Sequence, residues 1–257
     1  MRLDGKRFLI TGASSGLGLA IVKRLLKVDG VQIFAVARNI TPLEKMPVDR
    51  VFTFSADVAR PKNIENMLDE AIKQMGGVDC VIANAGFGYY EQFYGKDYRH
   101  IERIFQTNVL SPLYTLQRFL AKTDGKVSFV VISSMLGKMG LSGMSLYCAT
   151  KYALDGFADS YKFEKPDRLH YMTVYPIGLK TNFWRRLPDN IPLPRPLQSA
   201  DSAACAVIKG LQNEKRAVYT SPPSKIALRA NGIIPFLIPS YQLINKKKFD
   251  KWRKSIH

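Results

Sequence analysis

The stretch that decides the fold is RFLITGASSGLG, residues 7–18. Its first residues form a short apolar strand that runs into a glycine-rich turn, and a helix with apolar residues at helical spacing begins at Gly16. Short apolar runs and helical patterns alternate along the rest of the chain, with further strands predicted at 31–36, 51–55, 78–83, 127–132, 171–175 and 217–220. This alternation predicts an α/β fold, a doubly wound parallel sheet flanked by helices on both faces.

A single domain over residues 1–257 accounts for this organisation, because 46% of the residues are hydrophobic and no repeat or internal linker is visible. Helices are predicted at 16–26, from 61 onward, at 98–120, from about 147 to 163 and at 200–211. The Pro-rich stretch 187–197 is interpreted as part of a lid loop, about 181–197, rather than as a domain boundary. A basic segment covers about 226–257.

The sequence also predicts where the protein works and what it does not bind. Its start, Met1 to Lys6, lacks the pattern of a signal peptide, and its three cysteines and three histidines are scattered without metal-ligand spacing. We therefore expect a cytoplasmic protein with no metal site. The net charge of +17 would attract anions such as dinucleotide phosphates or an acidic membrane surface. Because the charge is dispersed and no nucleic-acid-binding motif is present, we expect no nucleic-acid partner.

The glycine-rich turn is placed to bind a dinucleotide. Glycines between the first strand and the first helix let the backbone turn sharply and approach a pyrophosphate, which rests on the free amides of the helix N-terminus. The candidate residues of this turn are Gly12, Ser14, Ser15, Gly16, Leu17 and Gly18. The turn is not a P-loop, because no Lys-Ser/Thr pair follows the last glycine.

The end of the second predicted strand indicates which nicotinamide cofactor binds. An NAD site places an acidic residue about 20 positions after the turn, where it holds the ribose 2′-hydroxyl. Arg38 occupies that position here, without an acid beside it. Because an arginine can bind a 2′-phosphate by donating charge-assisted hydrogen bonds to it, we expect NADP to be preferred over NAD.

Tyr147 and Lys151 carry the strongest chemical signal. They stand four residues apart on a predicted helix and therefore lie on one face, one turn apart. An ammonium in that position is expected to lower the pKa of the phenol and to make it a proton donor or acceptor near neutral pH. Ser134 follows the predicted strand 127–132 and precedes Tyr147 by thirteen positions.

These residues resemble the short-chain dehydrogenase/reductase superfamily, the branch of single-domain enzymes of about this length, over roughly residues 4–220. The resemblance rests on the glycine turn, the pair Asp57-Val58, the run Asn84-Ala85-Gly86, Asn108 in the long helix, and the trio Ser134, Tyr147 and Lys151 in matching order. It implies a Rossmann fold with one dinucleotide-binding catalytic domain. It also implies that Asp57 and Val58 contact the adenine, and that the Asn84-Ala85-Gly86 run lies at the cofactor.

The resemblance implies a mechanism as well. Tyr147 would transfer a proton to or from the substrate oxygen while hydride passes between the nicotinamide and the carbonyl or carbinol carbon. Ser134 would position that oxygen, Lys151 would hold the nicotinamide ribose, and Asn108 would position a water that connects Lys151 to solvent. The expected reaction is the reduction of a ketone or aldehyde with NADPH. Two alternatives remain: a catalytically idle dinucleotide-binding sensor or scaffold, and an isomerase or dehydratase on the same fold.

One departure from the family pattern follows the sixth strand. The family usually has Pro-Gly there, whereas this chain has Pro176-Ile177. Thr181 keeps its separation from Pro176, and the resemblance places it at the carboxamide end of the nicotinamide. A β-branched residue disfavours positive φ, so a shifted loop backbone is expected at Ile177.

The substrate is expected to be an apolar carbonyl or alcohol compound, because apolar and aromatic residues cluster around the predicted site. These are Phe87, Tyr89, Tyr90, Phe93 and Tyr94, then Met135, Leu136, Met139, Leu141 and Met144, and in the lid loop Phe183, Trp184, Leu187 and Ile191. Packing in the core is the alternative for many of them. Arg185 and Arg186 could meet an anionic substrate or face solvent.

The basic C-terminal segment has two interpretations. Its apolar run 233–239 beside a lysine-rich end suits peripheral contact with acidic lipid, although it is too short to cross a bilayer. Alternatively, the segment packs on the body of the protein or on a partner subunit. By analogy with the family, a homodimer or homotetramer is expected.

Overall fold

Seven parallel strands form one sheet in the order β3-β2-β1-β4-β5-β6-β9 in a computed structural model that describes residues 1–184, 187–232 and 234–255. The strands are β1 Arg7–Thr11, β2 Gln32–Ala37, β3 Val51–Ser55, β4 Cys80–Ala83, β5 Val127–Ile132, β6 Leu169–Tyr175 and β9 Ala217–Tyr219. A separate parallel pair joins β7 Leu179–Lys180 to β8 Gln198–Ser199. The predicted doubly wound parallel sheet is confirmed.

Helices cover both faces of the sheet. They are α1 Gly16–Leu25, α2 Pro61–Met75, α3 Tyr98–Phe105, α4 Ser111–Ala121, α5 Ser145–Tyr161, α6 Ala200–Gln212, α7 Pro222–Asn231 and α8 Leu237–Ser255. Successive side chains of a strand point to opposite faces, and in β1 Phe8 and Ile10 pack with α1 and α6, whereas Leu9 packs with α2, α4 and α5. Both faces of a central strand are therefore buried, which explains its continuous apolar sequence.

The strand order fixes where a ligand can bind. The chain moves outward from β1 through β2 to β3, then crosses to β4 on the other side of β1. At such a reversal, the crossovers leave to opposite sides and open a crevice at the carboxyl ends of the strands. The glycine turn follows β1, and the Asn84-Ala85-Gly86 run follows β4, so both border this crevice.

The long helix predicted at 98–120 differs from the observed structure in its middle. A π-helical turn, Gln106–Leu110, separates α3 from α4. Asn108 lies in that turn, is buried, and uses its side chain to bond the backbone of Phe87. A widened turn of this kind is common where a helical residue serves a functional site.

The two C-terminal helices, α7 and α8, were not predicted. Each begins with proline in its first turn, at Pro222 and at Pro239. The first turn tolerates proline because its N–H groups have no partner within the helix. The buried Trp252 of α8 packs against Tyr90, with ring centroids 4.8 Å apart. The end of α8 thus packs on the body, as one of the two interpretations expected. Arg185, Arg186, Ile233 and the last two residues lie outside the described residues.

Two helical glycines offer a matched test of the packing between α6 and the sheet. A methyl group at Gly210 would lie 2.3 Å from Cγ2 of Val218, whereas one at Gly156 in α5 would meet nothing within 4 Å. Both positions gain helix propensity with alanine. We expect Gly156→Ala to be neutral or to raise the free energy of unfolding by up to about 1 kcal/mol, and Gly210→Ala to lower it by about 1–3 kcal/mol through overpacking.

Urea denaturation followed by circular dichroism measures both values. Equal effects of the two substitutions would contradict the close contact between α6 and β9.

Candidate active site

A cavity of about 820 Å³ occupies the carboxyl edge of the sheet. Residues that directly follow strands line it, for example Gly12 after β1, Arg38 after β2 and Asn84 after β4. Of the residues predicted for the site, the lining contains Gly12, Ser14, Ser15, Gly16, Leu17, Arg38, Asp57, Val58, Asn84, Ala85, Gly86, Ser134, Tyr147, Lys151, Pro176 and Thr181. The fold therefore brings residues from the whole length of the sheet to one cavity.

The glycine turn has the backbone that a dinucleotide site needs. Gly12 and Gly16 adopt φ values of 66° and 54°, a left-handed region that glycine enters without strain. Ser15 caps α1 without a side-chain hydrogen bond. The first amides of α1 are thus not bonded by the capping side chain, and an anion at the helix N-terminus would be stabilised.

Gly18 is predicted as a cofactor residue, but it lies behind the cavity and not in its lining. A methyl group at this position would lie 2.2 Å from the carbonyl oxygen of Gly12 and 2.6 Å from Nδ2 of Asn84. Asn84 donates hydrogen bonds from Nδ2 to the carbonyl oxygens of Thr11 and Gly12, at 3.0 and 3.1 Å. Gly18 therefore allows α1 to pack closely on the turn, and Asn84 ties the turn to β4.

A positively charged side chain, Arg38, lies at the edge of the cavity beyond β2. Arg38 is exposed and lines the cavity beside Asn39, and its carbonyl oxygen accepts a hydrogen bond from Ser55. Asp57 lines the same end, where its carboxylate accepts a hydrogen bond from the backbone N–H of Ala59 at 3.1 Å. The guanidinium of Arg38 is thus available to an anionic group of a ligand.

Ser134, Tyr147 and Lys151 meet at the centre of the cavity. Lys151 Nζ donates a hydrogen bond to the carbonyl oxygen of Ile132 at 2.8 Å and stands 5.5 Å from the ring centroid of Tyr147. Ser134 Oγ accepts from the backbone N–H of Leu136 at 3.1 Å, so its own proton remains free to be donated. The fold thus brings these three residues to one cavity.

The pKa expected for Tyr147 is wrong in direction. Burial raises the pKa of Tyr147 to about 12, and the hydroxyl of Ser134 offsets only part of that rise. Burial also lowers the pKa of Lys151 to about 8. A low-dielectric environment disfavours the charged forms of both side chains, so desolvation is the largest cause of both pKa shifts. The phenol accordingly keeps its proton at neutral pH.

Asn108 lies behind the wall of the cavity and does not line it. Its Nδ2 donates to the carbonyl oxygen of Phe87 at 2.8 Å and to Oγ1 of Thr150 at 3.1 Å, while its Oδ1 accepts from the N–H of Phe87. A methyl group on Gly86 would lie 3.2 Å from Asn108 Oδ1 and 3.8 Å from Lys151 Nζ. The side chain therefore joins the π turn to the loop after β4, close to Lys151.

The loop after β6 accommodates Ile177 without a positive φ at that residue. Among the described residues, the non-glycine positions with positive φ are Asn190 and Glu214, so the shift expected at Ile177 does not take the form of a positive φ. Thr181 lies against the glycine turn, where a methyl group on Gly16 would be 3.4 Å from its Cβ. Trp184 Nε1 donates to the carbonyl oxygen of Leu179 and closes the segment 179–184.

Apolar side chains form the outer part of the cavity. The phenol ring of Tyr147 packs edge-on against Phe183, with ring centroids 5.6 Å apart. Of the residues predicted for this wall, Phe87, Tyr89, Met135, Leu136, Met139, Leu141, Met144, Phe183 and Trp184 line the cavity. Phe93 and Tyr94 are instead exposed, and Tyr90 is buried against α8, so the prediction that they line the site is wrong.

Part of the wall comes from helices that the sequence analysis missed. Ala227 and Leu228 of α7 and Leu237, Ile238 and Tyr241 of α8 line the cavity. Leu237 and Ile238 belong to the apolar run 233–239, for which the sequence leaves contact with lipid and packing on the body both open, whereas no motif singles out Ala227, Leu228 or Tyr241. Arg103 of α3 also lines the cavity, and no sequence motif pointed to it. The described residues contain no group of three His, Cys, Asp or Glu side chains that could hold a metal ion.

Comparison with known proteins agrees with this geometry. The family model described as short chain dehydrogenase matches residues 6–191. The chain is 27% identical to bovine short-chain dehydrogenase/reductase family 16C member 6, over 90% of this chain and 77% of that protein. It is 24% identical to 3-ketodihydrosphingosine reductase of Dictyostelium discoideum, over 95% of this chain and 83% of that protein. It is 30% identical to an NADP-dependent 3-hydroxy acid dehydrogenase of Schizosaccharomyces pombe, over 71% of this chain and 74% of that protein.

Solved structures share the fold. A short chain dehydrogenase from Burkholderia cenocepacia in complex with NADP superposes with a TM-score of 0.78 at 21% identity, covering 90% of this chain and 94% of that one. A short chain dehydrogenase/reductase from Burkholderia phymatum in complex with NAD gives a TM-score of 0.79 at 18% identity, with the same coverage. The two neighbours bind different nicotinamide dinucleotides, so the likeness does not decide which cofactor this chain prefers.

Burial of Lys151 predicts a stability that depends on pH. Its pKa is lowered in the folded state, so the unfolded chain binds more protons between about pH 8 and 10.5 and stability due to this group rises across that window. Lys151→Met removes the cost of burying the charge and should raise the free energy of unfolding at about pH 7 by about 1–3 kcal/mol.

The advantage of Lys151→Met should shrink as the pH rises towards about 10. Denaturation at several pH values without added nucleotide, followed by circular dichroism, measures this. A variant that is less stable than the unaltered protein at every pH would contradict the assigned burial.

Proposed function

Because the chain belongs to the short chain dehydrogenase family, we propose that it is an NADP(H)-dependent oxidoreductase that transfers a hydride between nicotinamide and an apolar carbonyl or alcohol substrate. The observation that carries this proposal is the meeting of Ser134, Tyr147 and Lys151 in one cavity with the glycine turn. The chain from 1 to 257 acts as one dinucleotide-binding catalytic domain. The segment 181–197 serves as its lid, since Phe183, Trp184, Pro194, Arg195 and Pro196 border the cavity.

The residues present fit a nicotinamide dinucleotide. Gly12 and Gly16 adopt positive φ values that favour glycine, and together with the first residues of α1 they line the cavity at the N-terminus of that helix. Gly12 to Leu17 would hold the pyrophosphate, Asp57 and Val58 the adenine, and the Asn84-Ala85-Gly86 run the ribose. Pro176 and Thr181 would border the carboxamide, and Lys151 would bond the nicotinamide ribose. The bound dinucleotide supplies the hydride.

The three central side chains of the protein handle the proton. The hydroxyl of Ser134 donates a hydrogen bond to the substrate oxygen, and the hydroxyl of Tyr147 gives its proton to that oxygen as negative charge develops there. The ammonium of Lys151 stabilises the phenolate that forms. Asn108 lies behind the cavity wall, and it acts as a positioning residue for the loop beside Lys151.

Several features support reduction with NADPH. A phenol that burial keeps protonated is prepared to donate, which suits reduction of a carbonyl group. Arg38 supplies a cation at the cavity edge where a 2′-phosphate would lie, and no acidic residue adjoins it in sequence. The apolar lining suits an apolar substrate, and the proteins similar to this chain include a 3-ketodihydrosphingosine reductase.

We also propose that the protein is a cytoplasmic homodimer or homotetramer. Tyr98, Leu110 and Tyr152 are exposed large apolar residues on the α3–α5 region, and they support an interface between copies. The basic C-terminal segment brings the protein into peripheral contact with a membrane surface. Among the described residues, no helix is both long and apolar enough to cross a membrane.

Tyr147→Phe tests the chemical step. Loss of the hydroxyl removes the proton donor, so the rate of carbonyl reduction should fall about 10²–10⁴-fold, while the affinity for NADPH changes little. The matched control is Tyr152→Phe, on the same helix, half exposed and outside the cavity lining. NADPH oxidation against a panel of ketones and aldehydes measures activity, and NADPH titration measures binding.

An unaltered protein that binds NADPH and reduces no carbonyl compound would favour the idle sensor or scaffold. Equal activity of the Tyr147 and Tyr152 variants would exclude the assigned proton donor.

Arg38→Ala tests the cofactor preference. Loss of a charge-assisted contact with the 2′-phosphate should weaken NADPH binding roughly 10–100-fold and leave NADH binding nearly unchanged. Arg216→Ala is the control, since this exposed arginine precedes β9 at the opposite edge of the sheet. Isothermal titration with each dinucleotide measures the affinities. Equal losses for both would remove Arg38 from this role.

A further inference from the structure

The two C-terminal helices leave a group of large apolar side chains in solvent. These are Ile226, Ile234, Phe236, Leu237, Leu243 and Ile244, with exposed fractions of 66, 51, 74, 42, 60 and 55%. We call them the C-terminal apolar surface. Helix α7 has no buried residue, and the run 234–237 is exposed throughout. A group of exposed apolar side chains this large usually marks a binding surface.

Basic residues continue this surface along α8. Ile244, Lys247, Lys251 and Lys254 are exposed and follow one another at intervals of three or four residues, so they form one stripe of the helix. The apolar part of the stripe is at its N-terminal end and the lysines are at its C-terminal end. Residues 222–255 contain eight basic residues and one acidic residue, Asp250.

The same elements form the mouth of the active-site cavity. Leu237 is partly exposed and also lines the cavity, and Ile238 and Tyr241 line it from the next turn of α8. Ala227 and Leu228 complete this part of the wall from α7. A substrate that passes the C-terminal apolar surface thus meets a continuous apolar wall that extends towards the catalytic residues.

Contacts with the body hold this surface in a fixed position relative to the cavity. Trp252 is buried against Tyr90, and Gln242 Nε2 donates to the carbonyl oxygen of Gly140 at 3.0 Å. The side chain of Asn231 accepts from the N–H of Ile238 at 3.0 Å and joins the two helices. Whatever the surface binds is therefore held at the mouth.

We propose that the C-terminal apolar surface docks on a bilayer that contains anionic phospholipid, and that the substrate is a long-chain lipid carbonyl compound that enters the cavity from that bilayer. The substrate part of this proposal rests on the proposed oxidoreductase function. Apolar side chains beside a lysine cluster match the two layers of such a surface, acyl chains and anionic headgroups. A second copy in this place would bring two basic clusters together, which like-charge repulsion opposes.

Vesicle co-sedimentation of the full chain tests the docking. We expect binding to vesicles of phosphatidylcholine with phosphatidylserine, and at least about tenfold weaker binding to phosphatidylcholine alone. The double variant Phe236→Ser with Leu243→Ser should weaken binding to the anionic vesicles at least about tenfold. Both residues are outside the cavity lining, and Phe163→Ser, which removes an equally exposed phenylalanine elsewhere, should have no effect.

A charge reversal tests the lysines. Lys247→Glu with Lys251→Glu should weaken binding to anionic vesicles at least about tenfold. The control carries the same change of charge at Lys27→Glu with Lys126→Glu, exposed residues that precede β2 and β5 at the opposite edge of the sheet. Equal losses in both double variants would mean that only net charge matters, and would overturn the docking surface.

Activity separates this proposal from the function on which it rests. With NADPH, Phe236→Ser with Leu243→Ser should raise the KM for a long-chain ketone carried in anionic vesicles and leave the rate on a water-soluble ketone unchanged. Activity on the soluble ketone without vesicle binding would overturn the docking and keep the oxidoreductase. Vesicle binding without activity on either ketone would overturn the oxidoreductase function and keep the docking surface. If the protein does not bind vesicles and Phe236→Ser with Leu243→Ser changes its oligomeric state, the surface would be assigned to a contact with a second copy of the chain.

Discussion

The site depends on the close packing of α1 at Gly18 against the loop at Gly12, where no room remains for a methyl group. At Gly18, a Cβ would be 2.2 Å from the carbonyl oxygen of Gly12, so the first turn of α1 rests directly on the loop that leaves β1. Asn84 then bonds two carbonyl groups of that loop and joins it to β4. Because β1 and β4 flank the point where strand order reverses, this contact sets the shape of the crevice at its centre.

The sequence predicts best what depends on local pattern. Continuous apolar strands such as 127–132, and the order in which Ser134, Tyr147 and Lys151 follow them, determine both the sheet and the meeting of the trio. Properties that depend on the three-dimensional surroundings were not predictable. The pKa of Tyr147 follows from complete burial, and the π turn at Asn108 follows from a bond to a loop distant in sequence. Helices α7 and α8 were not predicted, although a proline in the first turn of each is compatible with the start of a helix.

Burial also reconciles stability with chemistry at the centre of the site. A low dielectric holds the Tyr147 phenol protonated and costs free energy at Lys151, where an ammonium loses its water for one carbonyl partner, Ile132. The same low dielectric strengthens the effect of that ammonium on any negative charge that forms nearby. The protein thus retains a group that costs stability at a place where its charge acts strongly on its surroundings.

The position of the two tryptophans gives the protein an intrinsic optical reporter. Trp184 lines the cavity, Trp252 of α8 is buried against Tyr90, and the chain has no other tryptophan. Emission from the indole rings therefore originates at the cavity wall and at the contact between α8 and the body of the protein. A ligand that displaces water from Trp184 or shifts α8 would change its intensity or wavelength, so occupancy can be followed without a label.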